Sequence, residues 1–202
     1  AIASSLGVIF ITSISSIYSH YKLNNINMLI IKKWFIGVIT GSICGALFSS
    51  FISGNMLIIF FVLIASLIAV NMFLNISIVL TNDIPKSFFL NNIISFLIGY
   101  FSVLIGIGGG SFSVPTLTAF GKNIHQAIGT SASIGFFIAL PGFITYALTG
   151  WMVEDLPRYS MGYVNLPIVL SIASISILTA PLGAKLSSKV NKETLKKIFA
   201  VF

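Results

Sequence analysis

Residues 105–118, Ile-Gly-Ile-Gly-Gly-Gly-Ser-Phe-Ser-Val-Pro-Thr-Leu-Thr, place four glycines in five positions inside an otherwise apolar run. Glycine permits close backbone approach and unusual dihedral angles, and Pro115 lacks an N–H and restrains Val114, so this stretch predicts a break in a helix. The next polar cluster is Gly129-Thr130-Ser131, near the start of a second apolar run. Its hydroxyls can donate to an oxyanion, and the N-terminus of a helix already favours negative charge. Together these two clusters could hold an anion with neutral donors. The competing explanations are structural: glycines that allow tight helix packing, and hydroxyls that cap or bond their own helix.

The surroundings make this a membrane problem. Of 202 residues, 56% are apolar and only 7% charged, with mean hydropathy +1.05; an ordinary soluble domain is about 25% charged. No charge occurs from Trp34 to Asn82, from Ser87 to Gly121, from Asn123 to Val153 or from Tyr159 to Ala184. Each gap holds one or two helices at about 20 residues per span. Irregular backbone in hydrocarbon is tolerated only where protein buries it or a polar cavity wets it, so the glycine break marks a candidate binding site. The net charge of +7 falls in loops. That argues for cytoplasmic lysines orienting helices rather than for nucleic-acid binding. The single cysteine, Cys44, has no partner for an intrachain disulfide, and no cluster of metal ligands or cofactor motif is present.

The predicted spans are 1–19, 34–52, 56–80, 88–107 with a broken extension 108–120, 127–149 and 160–184, with a further start near 195, about seven membrane segments in all. Trp34, Trp151, Tyr159 and Tyr163 fall where interfacial aromatic belts are expected. The chain begins and ends inside apolar runs, as expected for a piece of a longer protein.

Two ordered matches suggest duplication. Ala1-Ile2-Ala3-Ser4-Ser5 matches Ala127-Ile128-Gly129-Thr130-Ser131, an offset of 126, with Phe10 and Phe136 in step. Gly45-Ala46 with Ser49-Ser50 matches Gly183-Ala184 with Ser187-Ser188, an offset of 138. A duplicated half-protein is the architecture of many secondary transporters. The expected division is 1–80 for the remainder of a first transmembrane repeat, 81–87 for a connecting loop and 88–202 for a second repeat.

On Gly106-Ile107-Gly108-Gly109-Gly110, Val114-Pro115-Thr116-Leu117 and Ala127-Ile128-Gly129-Thr130-Ser131, in this order, the chain resembles the sulfite exporter TauE/SafE family, also called the 4-toluene sulfonate uptake permease family. The resemblance covers essentially all of the sequence. It implies an all-α polytopic protein of two repeated four-helix halves in the cytoplasmic membrane, a carrier and not an enzyme, moving small anions of the sulfite or organosulfonate type. It also implies coupling to an ion gradient of protons or sodium. The expected substrate site comprises Gly108, Gly109, Gly110, Ser111, Pro115, Gly129, Thr130 and Ser131, with Ser4 and Ser5 approaching from the other half.

Other polar residues have simpler explanations. Asn71 and Asn75 share a helix face and suit interhelical bonding. His125 could shuttle protons but also fits an interfacial loop, while His20 and Asp83 read as solvated span ends. An intramembrane serine hydrolase using Ser111 and His125 lacks an evident orienting third group. A membrane scaffold would pack the break dry.

The loop charges give conflicting orientations. Lys22, Lys32 and Lys33 in one loop, and five lysines in 185–197, should both be cytoplasmic, with the acidic 150–158 outside. That holds only if 88–120 crosses the membrane an even number of times. Family-like parallel halves make it one long broken crossing instead, and the expectation follows the family.

Overall fold

The computed structural model describes residues 1–52, 83–154 and 156–191 continuously, with isolated positions within 54–70 and 193–198. Helices α1 (Ile2–Lys22) and α2 (Met28–Phe48) are followed by a 3-10 turn at Ser49–Phe51. Next come α3 (Phe88–Ile105), the half-length α4 (Gly110–Ala119) and α5 (Ile124–Thr149). A two-residue hairpin, β1 (Ser160–Met161) antiparallel to β2 (Val164–Asn165), leads into α6 (Leu166–Lys189). Among the described residues five helices, α1, α2, α3, α5 and α6, are long and apolar enough to cross a membrane. The expected span 56–80, with Asn71 and Asn75, lies largely outside the described residues, so the count of seven is not reached here.

Local chemistry sets the helix ends. Asn27 accepts from the N–H groups of Leu29 and Ile30, Asn123 from His125 and Asn165 from Ile168. An asparagine oxygen satisfies amides that have no partner in the first turn. The cap at Asn27 starts α2 six residues before the expected 34, which the exposed Lys32 and Lys33 tolerate by extending their heads to solvent. Likewise Asn165, with a proline in the first turn, starts α6 at Leu166 rather than 160.

Helices α2 and α3 run parallel in close contact. A Cβ at Gly37, Gly41 or Gly45 would strike the backbone of Asn92, Phe96 or Tyr100 in turn, and one at Gly99 would strike the Val38 carbonyl. Small residues four apart let backbones meet, and dispersion then holds them where lipid offers no hydrophobic drive. Trp34, expected at the interface, is instead fully buried here. Its Nε1 donates to Asn91 Oδ1 at 3.0 Å, and Asn91 Nδ2 donates to the carbonyls of Pro85 and Ser87.

The segment 88–120 does not make one long crossing. Asp83, just before α3, pairs with Lys122, just after α4, at 2.6 Å. Both ends of the segment therefore lie on one side, and α3 with α4 forms a hairpin that enters and returns. Ten residues give α4 about 15 Å, half the hydrocarbon thickness. The hairpin resolves the conflict over charge. The Lys22–Lys33 loop, Lys86, Lys122 and the Lys189 end of α6 share one side, with Glu154 and Arg158 on the other. This overturns the single broken crossing expected from parallel halves.

It also inverts one half against the other. Helix α1 lies antiparallel to α5, since the loop after α1 meets the start of α5: Gly129 packs against Asn25. At that junction the N–H of Asn27, which caps α2, donates to Thr130 Oγ1 at 3.0 Å. At the opposite end the N–H of Asn165, which caps α6, donates to Ser4 Oγ at 3.0 Å. Thr130 is Ser4 plus 126 and Asn165 is Asn27 plus 138, the two offsets of the sequence matches. Helix α2 accordingly packs on α5 as α6 packs on α1. Repeats of opposite topology, related by an axis in the membrane plane, have this arrangement.

Candidate functional site

The break is built in three steps. Gly106 ends α3 in the left-handed region at φ 76°, where a side chain would be strained and a Cβ would lie 3.0 Å from Ile2 Cα. The N–H groups of Gly106 and Ile107 return to Val103 and Ser102 carbonyls, and Ser5 Oγ donates to the Gly106 carbonyl at 2.7 Å. Gly109 then presses on α5, where a Cβ would stand 2.8 Å from the Gly135 nitrogen. Helix α4 begins at Gly110. Gly109, its capping residue, supplies no side chain, and the N–H groups of Gly110, Ser111 and Phe112 have no acceptor among the described residues. Pro115, expected in the break, sits inside α4, where it removes one backbone hydrogen bond.

Of these three residues Gly110 lines an open cleft of about 430 Å³ bordered by the break, α1, α5 and α6. Gly108, Gly109, Gly110 and Ser131 line it, as do Thr12, Ser13, Ser16 and His20 from α1 and Ser176 and Thr179 from α6. Space is open around the missing side chain of Gly110. The Ser131 hydroxyl is 1% exposed and has no hydrogen-bond partner among the described residues. A buried donor left unpaired loses roughly 1–3 kcal/mol, so it is an available contact for a polar solute.

The remaining expected site residues are elsewhere. Thr130 is buried and engaged with Asn27, and a Cβ on Gly129 would strike the Asn25 carbonyl, so both fix the α1–α2 loop against α5. Ser4 and Ser5 line a second cavity, about 870 Å³, at the other end of α1, with Tyr146, Ser49 and Asn165. Ser111 and Pro115 line neither cavity. Ser111 and His125 share no hydrogen bond among the described residues, and His125 Nδ1 is buried without a partner there.

One lining residue was misjudged from sequence. His20 is 4% exposed, not solvated, and its Nδ1 is buried without a partner. The signal was available: Ile9, Ser13, Ser16 and His20 recur at helical spacing, so one stripe of α1 carries them all. Outside the membrane helices, the Lys122 ammonium and the N–H of Ile84 hold the Asp83 carboxyl below its ordinary value.

A multi-pass helical bundle whose broken helix borders an open cleft, with backbone amides and hydroxyls among its lining, has an architecture suited to a membrane transporter. The chain belongs to the sulfite exporter TauE/SafE family, whose model matches residues 1–202. It is 37% identical, over its whole length and 76% of the relative's, to a probable membrane transporter protein of Haemophilus influenzae. It is also 29% identical to one of Methanocaldococcus jannaschii, across 97% of this chain and 73% of that one, and 25% identical to one of Bacillus subtilis, across 100% and 76%. No solved structure is a significant match.

Proposed function

We propose that this transporter carries a small oxyanion of the sulfite or organosulfonate class, bound between the N-terminus of α4 and Ser131. One juxtaposition carries the proposal. Gly110, whose N–H is unpartnered at a helix start that favours negative charge, lines the same cavity as a buried, unpartnered hydroxyl, that of Ser131. Neutral donors suit a carrier, because an unpaired lysine at that depth would cost about 2.5–3.5 kcal/mol and grip the anion against release. Thr130, Gly129, Ser4, Ser5, Ser111 and Pro115 serve in this scheme to hold the frame rather than the solute. The repeats 1–80 and 88–202, joined by 81–87, would alternate access around the site, in the cytoplasmic membrane, with a proton or sodium ion as the coupling partner.

The test is flux of sulfite and methanesulfonate in proteoliposomes bearing the full-length protein. Gradient-driven flux that falls in Ser131→Ala and in Gly110→Val supports the site. Absence of flux for both anions, or equal flux in all three proteins, overturns it.

A further inference from the structure

We propose that His20 is the proton-carrying group of this site, taking up one proton as the anion binds and giving it up as the anion leaves, so that the two travel together. The proposal rests on the anion reading above and adds the coupling ion.

Three observations lead to it. His20 lines the same cavity as Gly108–Gly110 and Ser131, and among the described residues it is the only ionisable one lining it. Its Nδ1 is buried without a hydrogen-bond partner among the described residues. Among the described residues neither a carboxylate nor a second cation stands in the lining to fix its charge. The ionisable groups on its own helix, Tyr18, Tyr21 and Lys22, are exposed and outside the cavity. From the elements packed on α1 come His125 and Tyr146 of α5, Lys185 and Lys189 of α6 and Tyr100 of α3, and none of them lines it either.

An imidazolium in such a place needs a negative partner, and the solute is the one available. A neutral imidazole takes a solvent proton, from hydronium that is left as water, onto a ring nitrogen at the cavity mouth; no bond to the anion forms, and imidazolium with a singly charged anion carries no net charge. Binding of the two is then reciprocal: the anion raises the affinity for the proton, and the proton that for the anion, by the same factor. Histidine is the side chain whose charge changes in the ordinary pH range. The position corresponding to His20 in the other half, by the offset of 126, is Tyr146, which lines the second cavity. The proton carrier therefore belongs to one half only.

The test uses methanesulfonate, whose charge is constant across the pH range in question, and the full-length protein in proteoliposomes containing a pH-sensitive dye. For the wild type we expect about one proton to enter per anion, and uptake to rise several-fold as the outside is taken from about pH 8 to about pH 6. His20→Gln should lose both effects, and the exchange of labelled methanesulfonate it retains across equal concentrations should be weaker than the wild type's and independent of pH. His20→Arg should exchange without pH dependence. Proton entry and pH stimulation that persist in His20→Gln overturn the proposal and leave the anion reading standing. A wild type that neither takes up nor exchanges methanesulfonate or sulfite overturns that reading and this one with it. If neither variant exchanges, proton uptake on methanesulfonate binding to the purified wild type decides: about one per anion supports the proposal and none overturns it.

Discussion

Phe10 and Phe136, 126 residues apart, meet ring to ring with centroids at 5.4 Å. They stand at the 126-residue offset of the sequence match, and if the two segments are repeats, corresponding residues touch only where the axis relating them passes. The axis thus crosses the α1–α5 contact near mid-helix. Because the pair joins the halves directly, Phe10→Ala and Phe136→Ala should be non-additive, with a coupling of about 0.5–1.5 kcal/mol beyond lost area. A double-mutant cycle by reversible unfolding in mixed micelles measures it; zero coupling would place the axis elsewhere.

The paired caps give a second expectation. Ser4→Ala and Thr130→Val each strip the acceptor from one asparagine N–H, and each should lower stability by about 0.5–1.5 kcal/mol. Thr130→Ser should restore the loss. Unequal losses, with one variant far outside this range, would break the correspondence between the two junctions.

The glycine seam between α2 and α3 predicts a sharp contrast. Gly41→Ala would drive a methyl into the Phe96 carbonyl and should cost about 1–3 kcal/mol as the helices part. Gly110→Ala and Gly183→Ala meet open space and should leave the unfolding midpoint nearly unchanged. Equal effects at all three positions would contradict the parallel contact.

Sidedness follows from the hairpin. With Cys44 replaced by Ala, cysteines at Lys86 and Lys122 should react with an impermeant thiol reagent from the same side, the cytoplasmic one by charge bias, and one at Met152 from the other. Labelling of 86 and 122 from opposite sides would restore the single crossing. The Asp83–Lys122 pair adds a pH signature. A carboxyl held below its ordinary value contributes stability that is present above that ordinary value and is lost as pH falls through the lowered one. Since Asp83 lies in a solvated loop, Asp83→Asn should change stability little near neutrality and remove what pH dependence the pair confers only under acid conditions.

The sequence made some of this legible and hid the rest for identifiable reasons. Gly106 through Gly110 announced the break, since only glycine occupies φ 76° freely and lets α5 approach so closely. Ser4 and Thr130, 126 apart, and Asn27 and Asn165, 138 apart, stand at the offsets of the sequence matches, and the β1–β2 hairpin lies in the longer connection between them. The inversion was not legible, because it depends on a turn-back at Gly106–Gly109 that apolar length alone cannot distinguish from a crossing. Trp34 was mistaken for an interfacial anchor because its partner, Asn91, is 57 residues away. His20 looked solvated because it lies near a run of polar residues, while its helical stripe pointed inward.

The most direct measurement of the central claim is the position of a bound anion. Selenite, the heavier analogue of sulfite, can be located by anomalous scattering in crystals of the full-length protein. The account predicts a peak within hydrogen-bond reach of the Gly110 amide and Ser131 Oγ, lost in Ser131→Ala or weakened together with affinity by about 2- to 12-fold, the equivalent of one hydrogen bond. A peak at another place, with the cavity beside Gly110 filled by water alone, would contradict it.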